Sequence, residues 1–450
     1  ASFQRFTGDA THVQAVDSST EQTRRARPRR TAGLWLALVF LAAALPLALR
    51  DFNAGRGWSD QSYHLRAIHK FAAEWPRFDF RDYSSATTPG FHVFMATIER
   101  WITPDVRVLR AVSAALTAAL LCTVGLIPRR QGEFAFFCCG LPLVTSLYVF
   151  SSGAWALPDN VGWWGVLAVL LLAWRDGDNR RWDYLAAALL LALVFCRQSH
   201  VWAAAVTWVA AVFSRPGPPE TLPQADARRG ARTVLLTLPA FAVVGSFAWL
   251  WKGLMPPSMA HEIRHGWYSP ENLILEGPNW ATPAFSLAVL GVLGVWYVPL
   301  MLPQIDRLRA RARWIAAAAA IAAVISVLPV TEFAPGTRAS GIWNFVRMTP
   351  VLAHRSPLLI ALAVLGGVIL AAWAVVLPPR RRVIWLTAWV CFVIAQVPNP
   401  SAFQRYHEPF ALLMLLLAIG TAAPPAKRWM LAGPVTLAIL LAMITLRGLR

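Results

Sequence analysis

The chain has 450 residues, 57% of them apolar and only 14% charged, with 22 tryptophans and a mean hydropathy of +0.48. That balance excludes a soluble domain. The net charge of +19 would suit a nucleic-acid binder, but the basic residues cluster in short segments between apolar stretches of about 15 to 22 residues, the length of a helix crossing a hydrocarbon core. Nucleic acid is therefore excluded as a partner, and the lipid bilayer takes its place.

In chain order, residues 1–30 are polar, basic and free of periodicity, which predicts a disordered cytoplasmic tail with no cleavable signal. Residues 31–450 form the membrane domain. Spans are predicted near 33–50, 107–127, 133–150, 158–174, 183–197, 200–214, 232–251, 284–303, 313–330, 356–377, 382–397, 408–423 and 429–446. The expected fold class is all-α, a polytopic membrane protein of about thirteen transmembrane helices. With the tail in the cytoplasm, Arg24-Arg25, Arg129-Arg130, Arg175 to Arg181, Arg228 to Arg232, Arg307 to Arg313, Arg380 to Arg382 and Lys427-Arg428 all fall in cytoplasmic loops, the positive-inside pattern. The opposite face receives the loops 51–106, 252–283, 331–355 and 398–408. Cys122, Cys138, Cys139, Cys196 and Cys391 lie in or beside apolar spans without metal-ligand spacing and read as small core residues. Lys70, Lys252 and Lys427 are the only lysines beside abundant arginine, which suggests a GC-rich bacterial genome. An inner membrane with the external loops in the periplasm is then expected, or an endoplasmic-reticulum membrane with those loops in the lumen for a eukaryotic source.

The external loops hold the chemistry. Asp60 and His64 follow the first span, and ionisable groups at membrane depth carry a cost that makes them functional candidates; the competing reading of Asp60 is a solvated loop acid. Gln61 to Trp75 has the spacing of an amphipathic helix lying along the membrane surface, and Thr87-Thr88-Pro89-Gly90-Phe91 sets a turn before a second helical stretch. His261 and His265 would share one face of a helix in the 252–283 loop. With no third ligand nearby, no metal site is predicted, and whether a divalent metal takes part is open. Arg197-Gln198-Ser199-His200-Val201-Trp202 fills the turn between two spans, Gln404-Arg405-Tyr406-His407-Glu408-Pro409 opens another, and Arg338 and Arg347 lie in the 331–355 loop. Arginines on the side that positive-inside avoids suit an anionic ligand, since the guanidinium fork holds phosphate oxygens. Pairing of Arg405 with Glu408 is the structural alternative. Several arginines facing one acid match a reaction in which a carboxylate takes a hydroxyl proton while cations stabilise a departing phosphate.

These residues resemble the GT-C glycosyltransferases, and among them the dolichyl-phosphoglucose-dependent alpha-1,2-glucosyltransferases of N-glycan precursor assembly. Asp60, Tyr63 and His64 are similar to that family's acid, aromatic and histidine after the first span, and Thr87 to Phe91 resemble its Thr-Thr-Pro-Gly-aromatic segment. Arg197-Gln198-Ser199-His200-Val201-Trp202 resembles an Arg-Gln-Thr/Ser stretch ending in Trp, and Arg405-Tyr406 with Pro409 looks like the family's late Arg-Tyr. Gln61 departs from the pattern, standing where a second acid is usual, and the 252–283 loop matches only loosely.

The resemblance implies an inverting transfer from a polyprenyl- or dolichyl-phosphate hexose, glucose favoured, to a glycan or lipid-linked acceptor. Asp60 would be the general base, with Arg405, Arg197 and Arg347 on the donor phosphate. Tyr63, His64, Thr87, Thr88, Gln198, His200, Trp202, Tyr406, His261 and His265 would contact substrate. No nucleotide sugar is expected, for no glycine-rich phosphate loop occurs. The alternatives are a flippase for lipid-linked sugars, a mannosyl- or arabinosyltransferase of the same type, and an oligosaccharide ligase.

Overall fold

A computed structural model describes residues 31–50, 56–175, 179–214, 224–262, 278–334, 338, 341–399 and 401–449. The predicted tail and His265 lie outside the described residues. The regular structure of those described is helical, with no strand beyond an isolated bridge between Leu352 and Arg355. Every one of the predicted spans falls on helix. Among the described residues five helices are long and apolar enough to cross a membrane: Val106–Val124, Ala227–Trp251, Thr282–Ala310, Pro357–Val376 and Arg428–Gly448. A sixth crossing results if Glu133–Thr145 and Leu147–Ala154, bent by 69° at their junction, count as one. Shorter apolar helices such as Ala32–Ala48, Asp159–Trp174 and Ala312–Val327 accompany them.

The helix Gln404–Ala422 is the axis of the bundle. It is buried at every position from His407 to Ala422, as expected of a helix apolar on all sides. Its polar first turn, Gln404-Arg405-Tyr406, is thereby delivered to one end of the bundle on a rigid support. Its far end is tied to an arginine-rich turn: the Arg130 amide donates to the Gly420 carbonyl, and Gln131 Nε2 donates to the carbonyls of Ile419 and Ala423. The helix Arg181–Cys196 has the same polarity in reverse. Asp183 at its start takes Arg229 in a two-pronged contact of 2.9 and 2.8 Å and Arg232 at 2.7 Å, while Arg197 follows its other end. The basic turns and the first turn of the axial helix therefore occupy opposite ends of the molecule.

Among lipid tails, helices gain little from the hydrophobic effect and pack by close approach of small residues. Thr282–Gly294 and Pro357–Val376 do so reciprocally. A Cβ added to Gly291 would lie 2.3 Å from the Leu362 carbonyl oxygen, and one added to Gly366 would lie 1.9 Å from that of Leu287. Gly366→Ala must push these helices apart, and we expect a loss of about 1–3 kcal/mol. It is checked by thermal unfolding of the detergent-purified protein; an unchanged Tm would refute the packing argument.

The predicted amphipathic helix is Arg56–Glu74 and the one after the turn is Gly90–Trp101. Ala67, Ile68 and Phe71 of the first pack with Phe91, Met95 and Ala96 of the second, and Tyr83, Phe247 and Trp251 complete this second, smaller core. Its apolar face thus covers protein.

Candidate active site

Six stretches of the chain meet at the end of the bundle where the axial helix begins. They enclose a cavity of about 80 Å³ lined by Asp60, Tyr63, His64, Ser85, Ala86, Thr87, Leu157, Pro158, Asp159, Arg197, Met259, Arg405 and Tyr406. Ligand pockets usually reach roughly 300–1,000 Å³, so a hexose would have to displace lining side chains. Met259 is the most adaptable of these, being unbranched.

Two ion pairs cross the cavity. Arg405 Nη1 donates to Asp60 Oδ2 at 2.5 Å, and Arg197 Nη1 is paired with Asp159 Oδ1. Tyr406 stands between them, with the Arg405 guanidinium 4.8 Å and the Arg197 guanidinium 5.1 Å from its ring centre. Arg405 Nη2 donates to the Tyr406 hydroxyl at 2.7 Å, so the phenolic proton points elsewhere. Arg405 Nε is buried and meets no acceptor among the described residues. An N–H of a guanidinium held that way is costly unless an oxygen-rich ligand completes it.

The wall opposite the axial helix is the segment between the two small-core helices. Tyr83 donates its hydroxyl to the Thr87 carbonyl at 2.6 Å, Ser84 Oγ to the Tyr63 carbonyl at 2.9 Å, and Trp251 Nε1 to the Phe80 carbonyl at 2.9 Å. Gln198 clamps its end: Oε1 accepts the Thr88 amide at 2.9 Å while Nε2 donates to the carbonyls of Ala86 and Leu254 at 2.8 and 2.9 Å. Thr88 Oγ1 donates to the Val194 carbonyl at 2.7 Å. A loop whose polar groups are satisfied by three other segments holds its shape without ligand.

His64 lines the cavity and turns Nδ1 toward His92 Nε2 at 2.9 Å, with Ser85 Oγ at 3.4 Å from the same nitrogen. Burial lowers the His64 pKa to about 4; Asp159 raises it, and Arg405 and Arg197 lower it. His92 is pushed well down by burial and then by His64. Both rings are neutral at physiological pH. Neither is then a strong proton acceptor, which leaves the carboxylates for that task.

Comparison with protein-family models, with curated proteins and with solved structures gives no match.

Among residues predicted for the site, Asp60, Tyr63, His64, Thr87, Arg197, Arg405 and Tyr406 share the cavity. Thr88 and Gln198 stand behind it as supports. His200 is buried beside Gly162 with its ring 4.9 Å from that of Trp163, and Trp202 packs on Phe392 and Phe410. Both fill space behind the wall and do not line it. Arg347 is exposed and lies outside the cavity, its guanidinium 5.4 Å over the Phe333 ring. Arg338 turns to the Glu332 carbonyl at 2.8 Å. His261 is exposed at the end of the Pro257–Glu262 helix. Among the described residues no group of three or more His, Cys, Asp and Glu is placed to hold a metal.

Two expectations change. Arg405 pairs with Asp60 and not with Glu408, whose oxygens accept from Ser146 Oγ at 2.5 Å and Gln404 Nε2 at 2.6 Å. Gln61, aligned with a second acid in the resemblance, is buried away from the cavity, where its Oε1 accepts from Arg110 Nε at 2.9 Å and from the Ala156 amide at 3.2 Å. The second cavity carboxylate is Asp159, which falls inside the predicted span 158–174 and is not among the predicted site residues. Its signal was present: an acid directly after Pro158, at the mouth of an apolar run, is as exceptional as Asp60.

Proposed function

We propose that this chain is a GT-C-type membrane glycosyltransferase with about thirteen spans, transferring one hexose, glucose favoured, from a polyprenyl- or dolichyl-phosphate carrier to a glycan or lipid-linked acceptor with inversion. The observation that carries the reading is the cavity in which Asp60 meets Arg405, with Arg197 and Tyr406 beside them. An acceptor hydroxyl oxygen attacks the anomeric carbon, its proton passes to Asp60, and the bond from that carbon to the phosphate oxygen breaks with the electron pair leaving on the phosphate. Arg405 and Arg197 bind the phosphate oxygens as charge develops there. Arg405 holds Asp60 when no phosphate is bound; turning its fork to the donor frees the carboxylate to act as base. The basic turns at the far end of the bundle suit the cytoplasm by the positive-inside rule, which sets the cavity toward the periplasm, or the lumen of the endoplasmic reticulum.

The bend of 69° between Glu133–Thr145 and Leu147–Ala154 favours a second reading, a flippase for lipid-linked sugars, because transporters place their sites at broken helices. At this break, however, the polar groups engage each other: Ser146 donates to Glu408, which also takes Gln404. That arrangement closes the junction, and the cavity lies at the mouth of the axial helix instead.

The test supplies purified protein in detergent with synthetic polyprenyl-phosphate glucose, mannose and arabinose and a lipid-linked or free glycan acceptor. Transfer of a single sugar, with its anomeric configuration inverted, is expected. Movement of labelled lipid across a vesicle bilayer without transfer from any donor would establish the flippase, and transfer of a whole glycan the ligase.

A further inference from the structure

His92 has no place in the chemistry above, yet it is fully buried and in contact with a cavity residue. It follows the turn Thr88-Pro89-Gly90 in the first turn of the Gly90–Trp101 helix, and its ring sits against those of Phe91 and Tyr83, two members of the small core. A polar ring in such a place costs stability unless it is hydrogen-bonded. One nitrogen is: Nε2 lies 2.9 Å from His64 Nδ1, with the two rings inclined by only 22°. The other, Nδ1, meets no partner among the described residues.

That asymmetry selects a tautomer. A neutral imidazole carries one N–H and one bare nitrogen. If His92 Nε2 accepted from His64, the His92 proton would sit on Nδ1, a buried donor without an acceptor, which folded proteins rarely tolerate. If His92 Nε2 donates, the unpartnered Nδ1 is a bare lone pair, and such under-satisfied acceptors are the less rare defect. His64 Nδ1 is then the acceptor, and the Ser85 hydroxyl 3.4 Å away is placed to donate weakly to it as well. The proton of His64 is confined to Nε2, the ring nitrogen left for the cavity.

We infer that His92 is a positioning residue that holds His64 as the Nε2–H tautomer, so that His64 offers the ligand a hydrogen-bond donor and not a base. The group it meets must therefore carry an oxygen lone pair, as a phosphate oxygen or a sugar hydroxyl does. The consequence for substrate rests on the function proposed above; the tautomer itself does not. It also divides labour in the cavity: Arg405, Arg197 and His64 donate, and proton acceptance falls to the carboxylates.

The experiment is nitrogen-15 NMR of protein labelled at histidine, with the His64 signals assigned by their loss in His64→Asn. The expected spectrum near neutral pH shows His64 with a bare Nδ1 and a protonated Nε2, becoming a tautomer mixture in His92→Leu. His92→Gln, whose amide can still donate, should restore the single form. In transfer assays His92→Leu is expected to raise KM for the polyprenyl-phosphate donor only about two- to threefold, the cost of drawing one tautomer from a mixture, with kcat changed less. A wild-type His64 protonated on Nδ1 overturns the inference even if His92→Leu fails to fold. An enzyme inactive on every donor but with the expected spectrum leaves the tautomer standing and removes the proposed reaction.

Discussion

Purified Asp60→Asn protein is expected to transfer sugar at least about 10²-fold more slowly than wild type, the scale of general-base catalysis. The substitution keeps the side chain's shape and an oxygen for Arg405 to donate to at the 2.5 Å contact, so folding should survive. It removes the proton acceptor and weakens the hold on the guanidinium. KM for the donor should therefore stay level or fall, since Arg405 no longer has to leave an anion before binding a phosphate. A large drop in kcat with unchanged or lower KM separates loss of a base from loss of a binding group. Near-wild-type turnover by a folded Asp60→Asn protein would remove Asp60 from the mechanism.

Arg405→Lys tests the other half of the pair. The ammonium keeps the charge but has no fork, so it cannot hold Asp60 and the Tyr406 hydroxyl together as Nη1 and Nη2 do at 2.5 and 2.7 Å. We expect kcat to fall by about 10²–10³-fold, the scale of removing one preorganised donor from a developing oxyanion. The measurement is single-turnover transfer with donor in excess. A rate that saturating donor fully restores, with KM raised and kcat unchanged, would assign Arg405 to uniform binding alone.

The helical class and the positions of the apolar stretches were legible because a membrane span announces itself by length and composition, with no need of tertiary information. So were Asp60, Arg197 and Arg405, each polar at a helix mouth where the neighbours are apolar. What could not be read was direction. Gln198 and Thr88 look like ligand-binding residues in one dimension, but their amide and hydroxyl are used up on backbone groups 56 to 112 residues away. His200 and Trp202 share that segment and point inward because a 3-10 turn from Gln198 to Trp202 rotates them toward Trp163 and Phe410. Asp159 was hidden for the opposite reason: its neighbours on the carboxyl side made it look like the edge of a span.

The contact between Asp60 and Arg405 joins residues 345 positions apart. A ribosome adding about 5–20 residues per second needs roughly 20 to 70 s to cover that distance. Through that interval the carboxylate has no Arg405 to meet it, and the cavity lacks the wall that Arg405 and Tyr406 supply. The last wall arrives with the axial helix, buried along nearly its whole length, which must enter between helices already inserted. Completion of the cavity in this architecture is thus a late event in biosynthesis, and a chain released before its final tenth is made has a fold to begin but lacks that wall.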